Sequence, residues 1–189
     1  MWATIALALI LNSASTADAA EIEGVEFADE IEFSQPSQRT LRLYGMGLLR
    51  YRVIFKGYVA ALYLPEGVSG EDALEDVSRR LELSYFWSIG ADDFANAAEQ
   101  LLQRGLSAAQ FARLRPRIDV LHRAYRDVRP DDRYSLTYFP DIGTELRLNG
   151  ELLASIPGAD FARAYFGIWL GSRALDADLR DELLRPGRV

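Results

Sequence analysis

Apolar and polar positions alternate in short runs over the first third of the chain. In EIEGVEFADEIEF, residues 21–33, apolar side chains alternate with acidic ones. That pattern predicts a half-buried strand pair, with Ile22, Val25, Phe27, Ile31 and Phe33 on the inner side. SQPSQ is a turn cluster. TLRLYGMG and LLRYRVIFKGYVAALYLP then predict two or three strands bent at glycines, with turns or bulges at Gly45, Gly47 and Gly57. Ser69, followed by Glu71 and Asp72, is placed to cap a short helix through about Asp76. Arg79–Ile89 reads as an aromatic-rich strand.

The period then changes. Phe94, Ala97, Ala98, Leu101 and Leu102 form one helical stripe, and Leu114, Ile118, Leu121, Tyr125 and Val128 a second. These predict helices over about Asp92–Arg104 and Ser107–Asp127. Gly105 separates them, Ser107 is the N-cap, and Pro116 marks a kink or restart. Alternation returns in DRYSLTYFPDIGTELRLNGELLASIPG, where Asn149-Gly150 between apolar runs is a hairpin signal. Residues 158–171 read as a buried helix with aromatics all round, and DADLRDELLR as a short amphipathic one. Strands, a helix pair, hairpins and closing helices make an α+β fold on a mainly antiparallel sheet, without βαβ alternation.

Composition narrows the function classes. The chain has 189 residues, 49% hydrophobic and 26% charged, as expected of a single soluble domain. A net charge of −7 argues against nucleic acid or an anionic membrane surface as partner. Without cysteine there is no thiol nucleophile or Cys–metal site. The opening MWATIALALILNSASTADAA carries a short apolar run and an A-x-A pattern at Ala17-Asp18-Ala19. It predicts a cleaved leader over residues 1–20 and a single domain over 21–189 that is periplasmic or secreted. A buried N-terminal helix is the alternative. The apolar run is too short for a membrane anchor.

Chemistry is sparse. His122 is the sole histidine, in mid-helix with Asp119 three residues earlier, and no G-x-S-x-G elbow exists. One His and no Cys give no metal site, and GMG is not a dinucleotide fingerprint. No cofactor is expected. What remains is a trio of cations, Arg50, Arg52 and Lys56, inside an apolar strand pair among many aromatics. Strict alternation puts them on one face with Ile54 and Tyr58. An arginine beside an apolar cavity suits a carboxylate or enolate-like oxygen held bidentately.

LRLYGMGLLRYRVIFKGYVAALYLP, SYFWSIGADDFANAAEQLL, DRYSLTYFPDIGTELRLNGELLASIPGADFARAYFGIWLG and ALDADLRDELL together resemble the chalcone isomerase-like family, in its bacterial, signal-peptide-bearing branch. The resemblance spans about residues 21–184. It implies an open-faced β-sandwich, a large antiparallel sheet packed against a helical layer with a ligand cleft between them. In the plant enzymes, intramolecular lyases that close a chalcone to a flavanone, an arginine grips the substrate oxygen. A threonine and a tyrosine position a water or the ketone, and an asparagine contacts the far ring. Members without isomerase activity bind fatty acids through the arginine and a tyrosine.

Carried over, the arginine falls on Arg50. The spacing is one residue longer here, so Arg52 competes. The threonine falls on Tyr58, the helix tyrosine on Phe94, and the asparagine near Leu101. These five are the expected ligand-binding residues, and no catalytic residue is assigned. Three readings follow. The chain is a non-catalytic binder of a fatty acid or similar small amphipathic acid, an intramolecular lyase or isomerase on an enone-phenol, or an interaction protein whose cleft its own side chains fill. In the first, Arg50 is expected to point into the cleft.

Overall fold

The structure, a computed structural model, describes residues 19–34, 38–51 and 55–187. The predicted leader, apart from its last two residues, and Arg52 lie outside the described residues. Seven strands form one antiparallel sheet in chain order: β3 (Glu30–Phe33), β4 (Arg39–Tyr51), β5 (Phe55–Leu64), β6 (Arg79–Tyr85), β7 (Arg133–Phe139), β8 (Gly143–Leu148) and β9 (Glu151–Ile156). The helices α1 (Ala91–Gly105) and α2 (Ala108–Ala124) are inserted between β6 and β7. The helices α3 (Ala159–Leu170) and α4 (Ala177–Leu183) follow β9. This is the expected sheet packed against a helical layer.

The period of two on β5 builds both cores. Tyr58, Ala60, Leu62 and Leu64 face the helices with Leu81, Leu83, Leu114, Ile118, Phe161 and Phe166. Val59, Ala61 and Tyr63 face a smaller cluster with Phe27, Leu41 and Phe139. A separate hairpin, β1 (Ala19–Ile22) and β2 (Val25–Ala28), contributes Phe27 to that second cluster. So the expected strand pair over residues 21–33 resolves into this hairpin plus β3. The turn at Glu23-Gly24 has φ of 55° and 80°. Asn149-Gly150 repeats the signature at 48° and 85°, as a two-residue hairpin of mirror-image type requires.

Four expectations are corrected. Ser69 starts only a 3-10 turn, Gly70–Asp72, because its hydroxyl donates to the Asp72 carboxylate (2.7 Å) instead of capping a backbone N–H. The strand expected to reach Ile89 ends at Tyr85, and Ile89 keeps a lone bridge to Val128. Pro116 sits inside an unbroken α2, held on both sides by the buried Leu114, Ile118 and Leu121. That helix also ends at Ala124, three residues short of Asp127. Its start is as expected, with a reciprocal cap between Ser107 and Gln110.

Gly45 and Gly47 are not at a turn but within β4, under α4 and the segment after it. A Cβ on Gly45 would stand 2.7 Å from the Arg185 carbonyl oxygen and 2.8 Å from that of Glu182. Close approach of a second backbone, rather than a bend, is what the GMG stretch provides. The ladder does shift register beside Gly45 and again between Leu49 and Arg50.

Candidate functional site

Aromatic side chains fill the layer between sheet and helices at the hairpin end. Tyr58 on β5 and Tyr85 on β6 are 7% and 4% exposed, with ring centroids 5.6 Å apart. Phe94 on α1 meets Tyr85, Tyr125 and Tyr134 at 5.4 Å each, stacked on Tyr125 and edge-on to the other two. Trp169 Nε1 on α3 donates to the Tyr58 hydroxyl (2.9 Å), and the hydroxyls of Tyr125 and Tyr165 share a hydrogen bond of 2.8 Å. Burial pushes the phenols of Tyr58, Tyr85, Tyr125 and Tyr165 upward, so all four are neutral at physiological pH. Among the described residues no carboxylate is buried. The rings of this layer therefore offer apolar surface and neutral hydroxyls.

Arg50 and Lys56 of the β4–β5 hairpin lie elsewhere. Arg50 is 53% exposed at its side chain and 3.5 Å from Glu23, in the turn of the β1–β2 hairpin. Lys56 is 2.6 Å from the same carboxylate and lies 5.9 Å from the Phe86 ring centroid. The two cations and the Lys56 hydrogen bond hold the Glu23 carboxyl below its usual range. The shared face with Tyr58 is thus corrected for Lys56. Tyr58 faces the helices, while Lys56 turns toward the second cluster and β1–β2. The register shift between Leu49 and Arg50 breaks strict alternation there. Arg50 is directed to Glu23, not into the helix–sheet layer as expected.

Open space lies on the helical side and also against β3, β7 and β8, where a hollow of about 700 Å³ is lined by Phe33, Arg80, Phe139 and Arg147. A groove of about 750 Å³ runs between α1, α2 and α3. Leu101, Leu102, Leu106, Leu114 and Ile168 form its apolar walls, and Arg113, Arg163 and Arg173, with the single carboxylate Asp160, its mainly basic rim. Of the expected site residues that are described, only Leu101 reaches it; Tyr58 and Phe94 belong to the filled aromatic layer. The groove was hidden in the sequence because its walls come from stripes on three helices. The signal that could have exposed it was Gly167, a glycine inside a helix rich in apolar and aromatic residues.

A sequence model of the chalcone isomerase-like family matches residues 19–185. The chain belongs to the chalcone isomerase-like family. No protein with a curated description matches it. Among solved structures, this family member is similar to the crystal structure of an Arabidopsis thaliana fatty-acid binding protein. The two are 14% identical with a TM-score of 0.65, over 88% of this chain and 96% of the other. At that identity the likeness shows the fold. No described helix of this family member is long and apolar enough to cross a membrane.

His122 borders the aromatic layer, 6.1 Å from the rings of both Tyr125 and Tyr165. Its Nε2 is buried with no hydrogen-bond partner among the described residues. Desolvation lowers its pKa, outweighing the pull of Glu99 and Asp119 upward; Arg115 adds to the lowering. A base whose folded pKa lies below the unfolded value binds its proton later in the folded state. Stability is therefore expected to fall as pH drops through the unfolded value of about 6.5 and to level off below the folded one. Urea unfolding at pH 7.5 and 5.5 checks this. His122→Phe should remove the difference, and an unchanged slope would show that another group titrates.

Proposed function

We propose that this protein is a non-catalytic binder of a fatty acid or similar small amphipathic acid, acting after export to the periplasm or beyond. The observation that carries the reading is Gly167. It stands within α3 on the wall of the groove, and a Cβ built there would meet nothing within 4 Å. A helix-interior glycine costs about 1 kcal/mol relative to alanine. No packing demand explains it, but a side chain would project into the groove. Leucine walls and a basic rim suit an acyl chain with an anionic end, and the volume lies in the range of small-molecule pockets.

Three further points support this reading. The Arabidopsis protein of the same fold is a fatty-acid binding protein. Phe94 has no hydroxyl at the position where the resemblance puts a water-positioning tyrosine, and the phenols around it are neutral. The opening twenty residues read as a leader. Calorimetric titration with palmitate tests the reading. The wild type is expected to bind. Gly167→Phe should weaken binding at least about tenfold by filling the groove, while Gly167→Ala should stabilise the fold by about 0.5–1 kcal/mol. No binding by the wild type would remove the ligand class, and unchanged binding by Gly167→Phe would remove the groove.

A further inference from the structure

Arg79 opens β6 and pairs across the ladder with Tyr138. It is fully buried, the largest side chain to be so among the described residues. Its guanidinium carbon lies 4.7 Å from the ring centroids of both Tyr138 and Phe166, so one ring of the sheet and one of α3 sandwich it. Nη1 donates to the carbonyl oxygens of Glu75 (2.6 Å) and Val77 (3.2 Å). Nε and Nη2 are buried and have no hydrogen-bond partner among the described residues.

Among the described residues no carboxylate hydrogen-bonds this guanidinium, although the charges of Asp76 and Glu75 act on it from nearby. Asp76 accepts from the Tyr138 hydroxyl at 2.5 Å, and Glu75 turns outward to Arg163 at 3.5 Å. Burial lowers the guanidinium to about 10, so it is still a cation at neutral pH. A buried charge with two idle donors is costly unless something satisfies it. The rim arginines of the groove differ. Arg113 is within 3.9 Å of Asp160, Arg163 has Glu75, and Arg173 donates to the Arg104 carbonyl.

The two places are chain neighbours. Leu74 and Arg163 line the groove. Glu75, which accepts from Arg79, follows Leu74, and Phe166, which stacks on Arg79, lies one helical turn after Arg163. The exposed Glu75–Arg163 pair is the ionic link across this junction, and an exposed pair opens at little cost.

We propose that Arg79 is the anion-receiving residue of this protein, its Nε–Nη2 edge taking the carboxylate of the acid whose chain lies in the helical groove. The planar edge matches a carboxylate bidentately, and the flanking rings exclude water from the pair. This inference rests on the binding reading above and adds which residue recognises the acid.

Palmitate and hexadecanol, which share a chain and differ in the carboxylate, separate the two. Arg79→Met removes the charge at similar volume, and with it the two hydrogen bonds to the Glu75 and Val77 carbonyls. The variant is expected to remain folded, bind palmitate about 100-fold more weakly, and bind hexadecanol as the wild type does. Arg79→Lys keeps the charge without the fork and should lose about tenfold, which covers the case of a misfolded Met variant. Palmitate bound equally by wild type and both variants would overturn the assignment and leave the binding reading standing. No palmitate binding by the wild type would overturn both.

Discussion

Replacing Gly143 with alanine is expected to destabilise the protein by about 4 kcal/mol, the sum of two independent costs. Gly143 begins β8 at φ 107°, where an L side chain is strained by about 1–3 kcal/mol. Its Cβ would also stand 2.9 Å from the Ile156 carbonyl carbon and from the Pro157 Cα, and closer still to the Ile156 oxygen. All three are backbone atoms at the end of β9, so nothing can rotate away and overpacking of about 1–3 kcal/mol is added. For a chain of this size the midpoint of thermal unfolding should fall by about 8–16 °C. Gly150 is the internal control. It has φ 85° with nothing within 4 Å, so Gly150→Ala carries strain alone. Equal losses in the two variants would show that the β9 backbone gives way.

Gly45→Ala is expected to cost about 3 kcal/mol, by prying α4 from the sheet. Three carbonyl oxygens, of Glu182, Leu183 and Arg185, surround the place of the added methyl. The docking they define is tight. Gly187 N–H donates to the Tyr44 carbonyl at 2.6 Å, Leu48 N–H donates to the Glu182 carboxylate at 3.1 Å, and Leu179 and Leu183 are fully buried. A shift that makes room for the methyl must weaken these bonds and open part of the two leucines to water, each worth about 1.5–3 kcal/mol when fully buried. Urea unfolding gives the total, and amide exchange over residues 177–187 localises it. A loss below about 0.5 kcal/mol, with α4 amides still protected, would show that the contact is soft.

Much of this architecture is legible in the chain. Alternation over β5 through β9, the helical stripes of α1 and α2, the Ser107 cap and the Asn149-Gly150 turn act over a few residues, and each element is present, with the ends of β6 and α2 shorter than local pattern predicted. The family resemblance is legible for the same reason, since its motifs are those local patterns. The candidate site was less so. Tyr58 and Phe94 were singled out as ligand contacts and lie in an aromatic layer that closes on itself through the Trp169 and Tyr165 hydrogen bonds. Arg50 was expected inward, but one register shift and a carboxylate 27 residues earlier in the chain direct it to Glu23.

By itself the sequence determined the α+β class, the mainly antiparallel sheet, the inserted helix pair and the lack of thiol chemistry, because periodicity, capping and turn preference are short-range properties. Only the tertiary structure decided which cations are buried and where space is left. Arg79 and Arg80 are neighbours in the chain, yet strand alternation and the approach of α3 bury the first between two rings, while the second pairs with Glu82 on the opposite face. Gly167 looks like any helix glycine until α1 and α2 close around it and leave a groove. A side chain's surroundings are set by segments distant in sequence, and desolvation and open volume follow from that packing alone.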